Sequence, residues 1–198
     1  MQSSGRRAGP TILVFVFFCC FAVVSLWPCP PTVMAADSET LEVGTESSGG
    51  VYAVAHVSFP AKPALIQAML TDYAHWPELF EVRMRLVEVK IHDGVATTDV
   101  RIEHALLPGE RRLVTESHAL PDGGLVTELV GGDFKKYYRR WKLTPKNGGT
   151  ETIADFKLVV AIDTIVPDWL MALATRRELE AHFRIVKEKA IERSRQEK

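Results

Sequence analysis

Six histidines, His56, His75, His92, His104, His118 and His182, are the side chains of this 198-residue chain best suited to acid–base or metal chemistry. None lies two or four residues from another, so the close pairs that usually seed a zinc site are missing, and the scatter suits surface or satisfied core groups. The nucleophile chemistry is equally bare. No Gly-x-Ser-x-Gly elbow occurs, and Gly131-Gly132 is not followed by the Gly-Lys-Ser/Thr of a phosphate-cradling loop. No cofactor is expected. What remains is arginine set among apolar residues. By strand alternation Arg139 shares a face with Trp141, and Arg176 and Arg177 interrupt an apolar helical stripe between Leu173 and Leu179. A guanidinium in either place can hold a ligand's head group. For the helical pair the alternative is a solvated face, with Glu180 and Arg184 paired one turn apart.

The elements that must position these residues begin after an unusual N-terminus. Arg6-Arg7, the uncharged run Thr11 to Trp27 and the small-residue site Val33-Met34-Ala35-Ala36 read as a secretory signal peptide over residues 1–36, cut after Ala35 or Ala36. An uncleaved anchor is the alternative, since the apolar run lies at the lower edge of the roughly 17–25 residues a span needs. Cys19, Cys20 and Cys29 all precede the cut, so the exported chain, periplasmic or secreted, has no disulfide and must rely on its core. With 24 basic against 25 acidic side chains, the sequence lacks the basic surplus of a nucleic-acid binder, and nucleic acid is not an expected partner.

Residues 37–50 are acidic and Ser/Gly-rich and read as a flexible linker. From Val51 to Phe59 apolar residues alternate as in a half-buried strand. Pro63 opens a helix to Thr71, and Asp72 caps a second short helix, Tyr73 to Glu81, bearing Trp76, Leu79 and Phe80. Six strands follow, over 83–92, 95–106, 112–120, 125–130, 136–144 and 150–162, with Asp93-Gly94 as the clearest hairpin signal. Pro167 then starts a long helix whose stripe is Trp169, Leu170, Leu173, Leu179, Phe183, Val186, Ala190 and Ile191. Strands bracketed by helices predict an α+β domain with an antiparallel sheet.

That order, with Thr71-Asp72-Tyr73-Ala74-His75-Trp76-Pro77-Glu78, Gly132-Asp133-Phe134, Trp141-Lys142-Leu143-Thr144-Pro145 and Gly148-Gly149-Thr150, resembles the START-like or SRPBCC helix-grip superfamily. The nearest likeness is to its polyketide cyclase/dehydrase and coenzyme Q-binding group. The resemblance spans residues 51–195. It implies a curved antiparallel sheet gripping the last helix, around a cavity for a lipid or other hydrophobic small molecule. Candidate lining residues are Tyr73, Trp76, Phe80, Arg139, Trp141, Phe156, Trp169, Leu173 and Arg177; the aromatics among them would equally suit a solid core. Arg139 departs from the family pattern, which often has a small residue shortly before the strand tryptophan.

Two functions stay open. One is a non-catalytic carrier, transporter or sensor, which would touch membranes transiently through its cavity mouth. The other is an aromatase/cyclase-like enzyme on a polyketide-type substrate, moving protons with a cavity His, Arg or carboxylate. A groove for a protein partner is a third use of the same surface.

Overall fold

Small or apolar residues at every odd position of Val51–Phe59, alternating with Tyr52, Val54, His56 and Ser58, form a strand, β2, whose odd-numbered residues are all buried. The computed structural model describes residues 38–196, so the leader reading falls outside the described residues. After β2 come α1 (Pro63–Thr71) and a 3-10 helix (Tyr73–Leu79). Then follow β3 (Arg83–His92), β4 (Val95–Glu103), β5 (Glu110–Ala119), β6 (Gly124–Gly132), β7 (Phe134–Lys146), β8 (Glu151–Ile162) and α2 (Asp168–Gln196). Pro63 occupies the first turn of α1, where its missing N–H costs nothing. Asp93 and Gly94 both take positive φ, 49° and 78°, and close the β3–β4 hairpin at the His92–Val95 pair, as the Asp-Gly signal requires.

The expected linker is corrected in part. Thr40–Thr45 forms β1, which pairs antiparallel with β2 from Thr40–His56 to Thr45–Val51. Its Leu41 and Val43 pack against the core. The intervening Glu42 hid the alternation in an acidic stretch; its carboxylate accepts a hydrogen bond from the Tyr52 hydroxyl at 2.7 Å.

The eight strands make one antiparallel sheet in the order β1-β2-β8-β7-β6-β5-β4-β3. Register shifts at Leu86/Glu88, Val114/Thr115 and Phe134/Lys136 mark bulges, which bend strands and tighten twist, so the sheet curls around α2. Gly132 is required at one of them, because at φ 102° a Cβ would lie 2.3 Å from the Arg112 carbonyl oxygen.

Across the concave face the two ends of the domain differ. At one end Phe59, Ile66, Met69, Trp141, Val186 and Ala190 are all but fully buried and make a solid core. At the other, the first half of α2 stands over β3 to β8 and leaves a cavity.

Candidate functional site

The cavity, about 190 Å³, lies between the concave sheet and α2. Its walls follow from strand parity. Phe134, Tyr137 and Arg139 of β7 and Phe156, Leu158 and Val160 of β8 point inward, as do Val100 and Ile102 of β4. Trp76 and Phe80 close it from the short helical segment, and Met171, Ala174, Thr175, Glu178, Leu179 and His182 from α2.

Of the sequence-predicted residues, the structure thus brings Trp76, Phe80, Arg139 and Phe156 together on the cavity wall. Tyr73 and Trp141 are buried just behind it. Tyr73 meets Trp76 edge-on at 4.8 Å, and burial pushes its phenol above the ordinary value, partly offset by a hydrogen bond with Ser117. Trp141 packs on Phe156 at 4.7 Å and on Phe183 at 5.7 Å. Trp169, Leu173 and Arg177 do not line the cavity and are exposed, the first two at 67% and 59%. The reason is helical phase. Met171, Thr175, Glu178 and His182 follow one another at spacings of four and three, and Trp169 and Leu173 are each two residues, about 200°, from Met171. The predicted stripe therefore begins correctly only at Leu179. Arg176 turns to the sheet edge, donating to the Leu41 carbonyl at 3.1 Å. Arg184 pairs with Glu81, in place of the expected Glu180.

The sheet under the cavity carries a polar row, of which Thr115 and Arg139 line the cavity itself, and most of this floor escaped the sequence reading. Thr98 pairs with Thr115 and Ser117 with Thr127, each hydroxyl couple 2.9 Å apart, buried and directly cross-strand. Thr127 in turn stands opposite Arg139 and accepts from its Nη2 at 3.5 Å. A row of polar side chains so runs across the inner face from β4 to β7. Arg139 ends the row, 6% exposed, with its guanidinium 4.7 Å from the centre of the Trp76 ring, a cation–π contact. Trp76 is held by its own N–H, which donates to the Leu70 carbonyl at 2.8 Å. The Nε of Arg139 has no partner.

His182 faces this floor from α2. Its ring stacks on Phe80 at 4.3 Å, and Nδ1 lies 2.7 Å from the Leu79 carbonyl oxygen. A carbonyl can only accept, so Nδ1 carries the proton and Nε2 presents a bare lone pair. That Nε2 is buried and unpartnered, as is Oε2 of Glu178 one turn earlier. Burial, with a smaller contribution from the Arg139 charge, pushes the imidazole down to about 4. It is neutral at physiological pH. In the sequence, the signal for His182 was its place between Leu179 and Val186 on the buried face. The hydroxyl row left none, because Thr and Ser suit either face of a strand.

A family model described as polyketide cyclase/dehydrase and lipid transport matches residues 59–182. The chain belongs to this family. The match covers everything from the end of β2 to His182, and so contains nearly the whole cavity wall. No curated protein is significantly similar in sequence. Among solved structures, a START superfamily protein from Mycobacterium smegmatis is 17% identical with a TM-score of 0.57, covering 71% of this chain and 97% of its own. A STAR-related lipid transfer protein from Xanthomonas axonopodis is 16% identical at 0.56, covering 79% and 96%. The Zhui aromatase/cyclase from Streptomyces sp. R1128 is 9% identical at 0.56, covering 78% and 96%. These likenesses fix the family's START-like, helix-grip fold for this chain.

Proposed function

We propose that this protein is an exported, non-catalytic binding protein that carries or senses a hydrophobic small molecule in the cavity between sheet and α2. The observation that supports it best is the cavity itself, walled by Phe80, Val100, Phe134, Phe156, Leu158 and Met171 in a family described by lipid transport. An apolar wall with a few placed polar groups is the ordinary make-up of a small-molecule site. Export rests on the leader: Arg6-Arg7, the run from Thr11 and the Val33-Met34-Ala35-Ala36 site. Beside the cavity, Trp169 and Leu173 stand exposed one turn apart, preceded by Ile165 at 98% exposure, a surface suited to transient membrane contact.

Protein purified without detergent should release a hydrophobe in native mass spectrometry. A chain that arrives empty and takes up no hydrophobic probe would overturn the proposal. N-terminal sequencing of protein from the exported fraction should begin at Ala36 or Asp37.

A cyclase-like enzyme is the second reading, favoured by Arg139, Glu178 and His182, which line the same cavity and each carry an unpartnered polar atom. Magnitude weighs against it. An imidazole held at about 4 is a poor general base at neutral pH, where catalytic groups are tuned close to the working pH. His182 serves better as a hydrogen-bond acceptor. Conversion of a polyketide-type substrate by the protein, lost in His182→Phe, would decide for the enzyme.

A further inference from the structure

The cavity changes character with depth. Its half-exposed lining is mostly apolar, with Met84, Ile102, Leu107, Phe134 and Met171 beside His104, Thr175 and Glu178, whereas the polar groups Arg139, Thr115 and His182 are buried. The hydroxyls of the floor satisfy one another. Arg139 is left over. Among the described residues no carboxylate forms an ion pair with it; it has only the long contact to Thr127 and the face of Trp76. Glu178 reaches the same cavity from α2, but its Oε2 is unpartnered and no ion pair joins the two. A buried cation without a counter-charge is among the costliest arrangements a core can hold, and a purely aliphatic occupant would leave it so.

Three features narrow what would satisfy it. Trp76 covers one face of the guanidinium, so a ligand meets it at an edge, where the two oxygens of a planar carboxylate fit side-on. One arginine offsets one negative charge. The volume of about 190 Å³ is little more than that of a ~150 Å³ cavity that holds benzene, so the occupant is one short chain or a compact ring, with no room for a two-chain lipid. We infer that the cavity takes a single-chain monocarboxylate head-first, its carboxylate on Arg139 and its apolar chain directed outward between Phe134 and Met171. This rests on the hydrophobic-ligand reading above and adds to it the head-group chemistry and the direction of entry.

The test is titration calorimetry on the full chain, freed of co-purified ligand, with octanoate, octanol, methyl octanoate and octyl phosphate. Octanoate should bind at least about tenfold more tightly than either neutral compound, the discrimination expected of one charge-assisted hydrogen-bonded pair. Arg139→Met should abolish the preference for octanoate over octanol. The comparison of ligands on the unaltered protein stands even if that variant fails to fold. Neutral compounds binding as tightly as octanoate, or octyl phosphate binding more tightly, would overturn the inference and leave the hydrophobic-ligand reading intact. Binding of none of the four would overturn both.

Discussion

Lowering the pH from 7 toward 4.5 should destabilise this protein chiefly through His182. In the folded chain its imidazole is fully buried, donates through Nδ1 to the Leu79 carbonyl, and is held at about 4 against an ordinary value near 6.5. In the unfolded chain it titrates normally. Between these two values the unfolded state binds a proton that the native state refuses, so stability is intact above pH 6.5 and falls as the solution is acidified toward 4. The gap is worth about 3 kcal/mol at about 1.4 kcal/mol per tenfold change in proton affinity. That is a large share of the roughly 5–15 kcal/mol that a domain possesses. Asp72 and Asp99, whose carboxyls are held low by His75 and Arg112 respectively, lose stability in the same direction on further acidification, so the raw pH profile is not specific. The His182→Phe variant separates them. It keeps an aromatic ring against Phe80 and removes the titration, though it strips the Leu79 carbonyl of its partner and lowers stability at every pH. Urea unfolding of both proteins from pH 7 to pH 4.5 should give a wild-type curve that falls by about 2–3 kcal/mol more than the variant's. Parallel curves would refute the assignment of a buried neutral imidazole.

Gly124→Ala should cost well over the ~1–2 kcal/mol of a left-handed backbone alone, because its Cβ would meet the Trp141 carbonyl oxygen at 2.0 Å; Gly94→Ala, in open space, should cost only the backbone part, both read from denaturant midpoints. Thr98→Val and Thr115→Val should each cost about 1–3 kcal/mol by stranding the other's buried hydroxyl, and the double variant less than the sum, in a double-mutant cycle. Trp141→Ala should cost about 3–5 kcal/mol and Trp169→Ala within about 0.5 kcal/mol, a contrast of burial that thermal melts will display. Arg139→Met should leave the empty protein as stable or up to about 4 kcal/mol more so, since it removes an unpaired buried cation; a marked loss would mean that the guanidinium is structural.

Where pattern and physics coincide, this fold reads directly from its residues. The strands show because one face of the sheet is buried and the other wet, so β8 alternates Thr152, Ala154, Phe156 and Leu158 with exposed Asp155 and Lys157. The hairpins show because Asp-Gly demands a particular turn. Strand β1 was hidden because an edge strand buries only part of its length, and the carboxylates in and beside it, Glu39, Glu42 and Glu46, work as partners of Lys187, Tyr52 and Lys136 after folding has brought them near. The helical phase failed for a different reason. Periodicity tells which residues of a helix share a face, but not where the helix first meets the sheet. The opening turns of α2 lie beside the cavity mouth, so Trp169 and Leu173 follow the solvent.

The polar floor could not have been read from spacing at all, because what makes it a floor is the register between neighbouring strands. Ser117 and Thr127 are ten residues apart and Thr127 and Arg139 twelve, and only the β5–β6 and β6–β7 pairings set them in one line. The same pairing explains why Arg139 is left unsatisfied. Each hydroxyl in the row has a neighbour that can both give and accept, but a guanidinium only donates, and Thr127, its cross-strand neighbour, takes one long contact from Nη2 and leaves Nε without a partner. A row of donors and acceptors that closes everywhere except at one cation is therefore incomplete in a defined way. An acceptor that completes it would come from the cavity side, because Trp76 and the sheet occupy the others, and a negative charge on it would offset the desolvation of Arg139.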